Sequence, residues 1–248
     1  MKLLKKTLAA SLFAAAFTMA APQVVAASVN LTNNGGGLGG ETAMEVVRTP
    51  GNPPKGMYVG GFDVTINSET GVTPFSAGQH ILAWCVEVAR SFPTGITSNY
   101  TVTEEPNVVD SWTGSLKRLF TMFGSSVTNS VSSAAMQLAV WEVIGDTGTY
   151  SLNNGGFQAN AAPGNANSTA ARDMAENWLT QLNANPTAWN DGYKIVKLEN
   201  FGENPKLQDL VTFIPTPLPG AALMFLSALG LGGLARRKFK ADPDALAA

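Results

Sequence analysis

The sequence predicts an α+β fold, in which a β-rich domain, sandwich-like or barrel-like, has helices inserted between its strands. Short segments alternate between apolar and polar residues with the period of a strand, and apolar residues elsewhere recur at helical spacing. Only 14% of the residues are charged, well below the value of an average soluble domain. Strands on both sides of inserted helices are typical of α+β domains. An N-terminal signal helix and a C-terminal transmembrane helix are predicted to flank this domain.

Residues 1–27 have the three parts of a signal peptide. Lys2, Lys5 and Lys6 make the start positive, and the apolar run Leu8 to Ala21 follows. Small residues up to Ala27 occupy the positions that a signal peptidase recognises. A permanent anchor is the alternative, but the run is short and ends in this cleavage-like site. We therefore expect export through the Sec pathway.

Within the domain at residues 28–212, strands and helices are predicted in turn. The predicted strands cover residues 57–66, with a bulge or bend at Gly60-Gly61, and residues 80–89, 99–104 and 193–198. The predicted helices cover residues 116–123, 130–144 and 170–182, with Ser132 or Ser133 as the N-cap of the second. Loops are expected at residues 33–40 and 145–169, which are rich in Gly and Asn.

Residues 213–248 are predicted to form a sorting tail. The 18 residues from Leu218 to Ala235 carry no charge, and at about 1.5 Å rise per residue they span about 27 Å, enough to cross a bilayer core. The basic residues 236–238 would then lie on the cytoplasmic side. The prolines of residues 215–219 prevent the helix from continuing backwards. A buried C-terminal helix is the alternative, but this segment lacks the polar face that such a helix has.

The order of proline motif, apolar helix and basic cluster resembles the PEP-CTERM class of sorting signals. The residues that carry the resemblance are Pro217, Leu218, Pro219, Arg236, Arg237 and Lys238. The motif is similar to the VPLPA variant, with Thr216 in place of Val, and the extension after the basic cluster is longer than usual. The resemblance implies an inner-membrane anchor and processing of the tail by an exosortase-type transpeptidase.

Charge argues against a nucleic-acid partner. Seven of the 16 Lys and Arg residues lie in the two terminal segments, against two of the 18 acidic residues, so the middle carries a net charge of about −7. A surface of that sign repels phosphate groups.

Cys85 is the only cysteine, so an internal disulfide is excluded. A buried thiol or an intermolecular disulfide is the ordinary explanation. A cysteine protease would need a histidine, and the only one, His80, lies five residues away on the same predicted strand and therefore on the opposite face. One Cys and one His are too few soft ligands for a metal site. No cofactor is implied.

Gln137 occupies the small and apolar face of the helix predicted at residues 130–144. An inward-facing glutamine has to find partners for its amide, because an unsatisfied buried polar group costs about 1–3 kcal/mol. Bonding to the backbone is one explanation. The other is that the thiol of Cys85 has displaced ammonia from Gln137 and formed a thioester.

Two motifs resemble those of Cys-Gln thioester domains. Ala83-Trp-Cys-Val-Glu87 is similar to their cysteine strand, and Gln137-Leu-Ala-Val-Trp141 to their TQXA helix, although Met136 stands where many members have Thr. The resemblance implies that Cys85 supplies the sulfur and Gln137 the acyl carbon of a thioester, which an amine on a surface or matrix molecule attacks. It further suggests that Trp84 and Trp141 cover the bond and that Glu87 assists proton transfer, although ordinary core aromatics and a solvated acid are the alternatives.

The sequence therefore favours an exported adhesion or matrix-attachment protein that reacts once and is not an enzyme. A structural biofilm or matrix protein, in which the same cross-link only stiffens the fold, is the alternative. A secreted hydrolase is a third reading, but no G-x-S-x-G, H-E-x-x-H or paired carboxylate motif supports it.

Overall fold

A closed six-stranded barrel forms the centre of the computed structural model, which describes residues 26–47, 54–188, 192–202 and 207–216. The strands in this part of the chain are β1 Ser28–Gly36, β2 Thr42–Val47, β3 Lys55–Val59, β4 Phe62–Thr70, β5 His80–Cys85, β6 Thr97–Glu104, β7 Gln158–Ala161, β8 Tyr193–Asn200 and β9 Leu210–Pro215. The helices are α1 Thr113–Phe123, α2 Ser130–Gly145 and α3 Ala166–Ala184, and a 3₁₀ turn at Gly124–Ser126 follows α1. The predicted β-rich fold with inserted helices is confirmed, and its closed sheet is a barrel.

The barrel has the strand order β1-β4-β5-β9-β8-β6, with β6 closing on β1, and every pairing is antiparallel. At one end of the barrel, Gly36 pairs with Phe62, and Cys85 pairs with Leu210. Ser28, where β1 begins, and Pro215, where β9 ends, lie at the opposite end of the barrel. These two positions are called the outer strand ends, because the chain enters the barrel at one and leaves it at the other.

Alternate residues of each strand fill the barrel, because successive side chains of a strand point to opposite faces. Cys85 shares its face with its strand partner Leu210, which in turn pairs with Leu198. Trp84 takes the other face of β5 and packs outside the barrel against Phe120 of α1. Trp84 and Cys85 thus follow the alternation expected of neighbouring residues in a strand.

A second sheet of order β3-β2-β7 lies beside the barrel. The chain passes from it into the barrel at Gly60-Gly61, where the sequence predicts a bulge or bend. A Cβ atom at Gly61 would lie 3.0 Å from Nε1 of Trp84, so a side chain at this position would force the tryptophan to shift.

Helix α2 is buried on every side from residue 132 to residue 143, and it packs on α3, on β5 and on the second sheet. The predicted N-cap, Ser132 or Ser133, is wrong. Asn129 caps the helix instead, because its backbone is extended and its side chain accepts a hydrogen bond from the N–H group of Ser132 at 3.0 Å.

Several predicted boundaries also change. Strand β5 ends at Cys85 and not at Ala89. The loop predicted at residues 33–40 begins only after Gly36, because β1 stays paired with β4 as far as Gly36, beyond the point at which its pairing with β6 ends. The loop predicted at residues 145–169 contains β7, which pairs with β2, and the first turn of α3, which Asn165 caps.

The predicted signal peptide, apart from residues 26–27, and the sorting residues from Pro217 to Lys238 lie outside the described residues. Within the part of the chain that the structure describes, no helix is long and apolar enough to span a bilayer.

Candidate functional site

The side-chain amide of Gln137 lies against the backbone of Cys85. The N–H group of Cys85 donates to Oε1 of Gln137 at 2.8 Å, and Nε2 of Gln137 donates to the carbonyl oxygen of Cys85 at 2.9 Å. Gln137 is fully buried and Cys85 is 4% exposed. The two residues that the sequence singles out, 52 positions apart, are therefore in direct contact.

The end of β4 explains why Cys85 needs this partner. Pairing between β4 and β5 stops at Phe62 and Ala83, because the chain bends away at Gly60-Gly61. N–H and C=O groups point alternately to the two sides of a strand. The N–H group of Val86 donates to the carbonyl oxygen of Asp209, on the β9 side of the strand. The backbone groups of Cys85 therefore point to the other side, which β4 has left. The amide of Gln137 fills the position that a further residue of β4 would take.

One turn earlier, helix α2 is tied to the same bend. The hydroxyl of Ser133 accepts a hydrogen bond from the N–H group of Gly61 at 2.8 Å. Ser133 and Gln137 are four residues apart and therefore lie on one face of the helix. Two contacts with the bend and with β5 thus fix the rotation of α2 and the direction of the Gln137 side chain.

Cys85 is a free and buried cysteine. Burial raises the pKa of its thiol well above the usual value, and the negative charge of Glu41 raises this pKa further, whereas a hydrogen bond with the side chain of Gln208 opposes the rise. The thiol is therefore protonated at neutral pH, unlike the thiolate that a cysteine protease uses.

A cleft of about 280 Å³ leads to the site. Its lining includes Cys85 and Trp141, together with Glu41, Tyr58, Arg90 and Gln208. A reactive group at Cys85 is therefore approached through a mixed polar and aromatic passage.

The two tryptophans predicted to cover the bond lie on different sides. Trp141 lines the cleft and packs against Phe157 at 5.8 Å between ring centroids. Trp84 points out of the barrel, where it contacts Phe120 and Phe213. Of the two, only Trp141 shares the cleft with Cys85.

The carboxylate of Glu87 is engaged elsewhere. Its Oε2 atom accepts hydrogen bonds from Arg90 at 3.0 Å and from the backbone N–H group of Asp209 at 3.1 Å. His80 is exposed on the outer face of β5, where Nδ1 lies 3.0 Å from Asp63. The histidine therefore lies on the opposite face of β5 from the thiol.

Two residues of the cleft, Glu41 and Gln208, were not predicted from the sequence. Gln208 lies just before β9 and on the same face as Leu210. Its place in the cleft becomes evident only when residues 207–211 are seen beside β5. Glu41 follows a glycine-rich turn, and no local signal identifies it. Among the described residues, no group of three or more His, Cys, Asp and Glu side chains is placed to hold a metal ion.

No protein-family model and no curated protein matches the chain. Among solved structures, it is similar to the N-terminal domain of the Streptococcus pyogenes pilus tip adhesin Cpa, at 12% identity and a TM-score of 0.38 over 71% of this chain and 93% of that one. It is also similar to the N-terminal thioester domain of a Clostridium perfringens surface protein, at 12% identity and a TM-score of 0.39 over 70% of this chain and 100% of that one.

A third similar structure is the N-terminal thioester domain of a fibronectin-binding protein from Streptococcus pneumoniae, at 11% identity and a TM-score of 0.36 over 75% of this chain and 99% of that one. Similarity at this level is weak, so the function has to be inferred from the site itself.

Proposed function

We propose that Cys85 and Gln137 form an internal thioester, and that the chain is an exported surface or matrix protein that uses this bond to attach covalently to amine-bearing molecules. The observation that carries the proposal is the pair of hydrogen bonds between the Gln137 amide and the backbone of Cys85. They hold the amide of Gln137 against the backbone of the residue that carries the thiol.

In forming the bond, the sulfur of Cys85 attacks the amide carbon of Gln137. A C–S bond forms, the C–N bond breaks, and ammonia leaves with the proton of the thiol. The N–H group of Cys85, 2.8 Å from Oε1, is placed to stabilise the negative charge that develops on this oxygen. Burial of both residues excludes the water that would hydrolyse the product.

An amine on another molecule then opens the thioester. Its nitrogen attacks the acyl carbon of Gln137, an amide bond forms, the C–S bond breaks, and Cys85 regains its proton. Thiolate leaves more readily than an amide nitrogen, so the reaction runs toward the amide. Each chain reacts once, and we therefore propose a covalent binder and not an enzyme.

Export completes the proposal. A Sec signal peptide at residues 1–27 would deliver the domain across the membrane, and the C-terminal helix would hold it there until an exosortase-type transpeptidase processes the tail near Pro217. The barrel would then act at the cell surface or in the extracellular matrix.

A structural role for the same cross-link is the second candidate. The low exposure of Cys85 favours it, because a bond sealed from solvent would join β5 to α2 without meeting a target. In that case the bond forms but resists amines.

Intact mass tests the thioester, with the termini assigned by peptide mapping. We expect a mass lower than that of the sequence by one ammonia, and an adduct at Gln137 after methylamine treatment. Cys85→Ala and Gln137→Glu should lose the mass defect, whereas Gln181→Glu, an exposed position on α3, should keep it. A mass equal to that of the plain sequence, with a titratable thiol, rules the thioester out. A mass defect that no amine removes selects the structural role.

A further inference from the structure

We propose that Glu41 and Gln208 receive the incoming amine, with Glu41 attracting the cationic form and taking its proton while the amide oxygen of Gln208 accepts a hydrogen bond from the attacking nitrogen. This inference rests on the proposed thioester and assigns the residues that would select a charged primary amine as its target. Both residues line the cleft that leads to Cys85.

Gln208 supplies a buried acceptor without a donor. The residue is 2% exposed, and its Oε1 atom has no hydrogen-bond partner in the described part of the protein. Its position is fixed, because its backbone carbonyl accepts from the hydroxyl of Tyr100 at 3.3 Å and the next strand residue of the same face, Leu210, pairs with Cys85. An unpartnered buried acceptor costs free energy, and an N–H group arriving at Cys85 would satisfy it.

Glu41 supplies the negative charge. A Cβ atom at Gly36 would lie 2.8 Å from Cγ of Glu41, so the side chain rests directly on this glycine, at the Cys85 end of the barrel. Among the described residues, no hydrogen bond or ion pair engages its carboxylate. Arg90, the cation of the cleft, is instead paired with Glu87 at 3.0 Å.

The charge of Glu41 reaches the sulfur, because it contributes to the raised pKa of Cys85. Burial also raises the pKa of Glu41 itself above its usual value. A carboxylate whose pKa moves toward neutrality is a better proton acceptor at that pH. Geometry and electrostatics therefore agree in placing a base and a cation-attracting group in the passage to the bond.

The step balances without any further reactant. The ammonium group gives one proton to Glu41 and becomes a neutral amine, whose nitrogen lies against Oε1 of Gln208. That nitrogen attacks the acyl carbon of Gln137, and the C–S bond breaks. The proton lost by the nitrogen as the amide forms goes to the sulfur of Cys85, and Glu41 later returns its own proton to solvent.

Rates of thioester opening test the role of Glu41 in the full-length protein. Methylamine is cationic at neutral pH, whereas hydroxylamine is uncharged. In Glu41→Gln we expect the rate with methylamine to fall at least about tenfold, and the rate with hydroxylamine to fall much less. Glu69→Gln removes the same charge at an exposed position at the other end of β4, and should react like the parent. Equal losses with both amines, or no loss, would overturn the role of Glu41.

Gln208→Met keeps the volume of the side chain and removes the acceptor. Its rate with methylamine should fall about tenfold, as expected for one lost hydrogen bond, and an unchanged rate would remove Gln208 from the proposal. Each variant is first checked for the mass defect of one ammonia. A parent chain without the defect disproves the thioester itself, whereas a parent with the defect and variants at the parent rate disprove only this inference. If Gln208→Met fails to fold, Glu41→Gln alone decides.

Discussion

At the scale of single residues, the Gln137 side chain stands in for a strand partner of Cys85. The amide accepts from the N–H group and donates to the C=O group of the same residue, as a peptide unit of a neighbouring strand would. Bonding to the backbone, one of the two explanations for a buried glutamine, is thus realised. The same bonding brings the amide to the cysteine, which is the arrangement from which the proposed loss of ammonia would start.

Removing this amide should destabilise the barrel even without a thioester. In a Cys85→Ala background, which cannot form the bond, we expect Gln137→Met to lower the free energy of unfolding by roughly 2–4 kcal/mol, because it leaves two buried backbone groups of residue 85 unpartnered. Urea denaturation measures the change. Gln181→Met on the exposed face of α3 is the control, and a loss at residue 137 no larger than at residue 181 would contradict the expectation.

Among elements, α2 is the most unusual, since it is buried from Ser132 to Val143 and still holds a carboxyl group. Glu142 is 1% exposed, and its Oε1 atom accepts from the N–H group of Ser151 at 2.8 Å. Burial, with smaller contributions from Asp146 and Glu176, raises the pKa of Glu142 to about 8. This carboxyl therefore remains protonated in the folded protein at neutral pH.

Stability should consequently fall in mild alkali. Because the folded pKa of Glu142 lies above the unfolded value, its protonation contributes stability that is fully present below the unfolded value of 4.5 and is lost as the pH rises through about 8. Between pH 5 and pH 9 we expect the parent to lose about 2–4 kcal/mol of unfolding free energy. Glu142→Gln, neutral throughout and still able to accept from Ser151, should lose much less. An identical pH profile for the two proteins would contradict this.

The cap of α2 can be tested in the same way. Asn129→Ala removes the side chain that accepts from Ser132, and should cost about 1 kcal/mol of unfolding free energy. Asn165→Ala removes the equivalent cap of α3, where the side chain accepts from Ser168 at 3.0 Å, and should cost a similar amount. Thermal unfolding measures both, and a cost below about 0.3 kcal/mol would show that Asn129 does not stabilise the helix start.

Helices and the cysteine strand were predictable because their patterns are local. Leu116 and Phe120 recur at helical spacing in α1, and both are buried. Strand β1 contains Asn and Gly residues that favour turns, but pairing with β4 as far as Gly36, and with β6 over Ser28 to Thr32, overrides this preference. β7 has four residues and depends on β2. Neither strand could be assigned from its own residues alone.

The same distinction applies to the site. Cys85 and Gln137 are identifiable because one is the only cysteine of the chain and the other is a glutamine on the small and apolar face of a helix. Glu41 and Gln208 reach the cleft only through long-range strand pairing, and so nothing in their neighbouring residues marks them. Trp84 shows the opposite case. It is the neighbour of Cys85 in sequence, and for that reason it lies on the other face of β5.

At the scale of the whole molecule, a thioester would close a ring from Cys85 to Gln137 that contains β6 and α1. A covalent ring of this size restricts the unfolded chain by about 4 kcal/mol in the chain-entropy model. We therefore expect methylamine, which opens the ring, to lower the free energy of unfolding of the parent by about 3–4 kcal/mol. Cys85→Ala should not respond to methylamine. Equal stability of the parent before and after opening would contradict the prediction.

The position of the outer strand ends has a directional consequence. Ser28 and Pro215 lie at the end of the barrel away from Cys85, so the chain joins and leaves the barrel on the side away from the cleft. If the segment after Pro215 tethers the protein to a membrane, as proposed, the cleft lies at the end of the barrel away from the tether. Orientation alone would then direct Cys85 toward neighbouring cells or matrix and away from the amines of its own membrane.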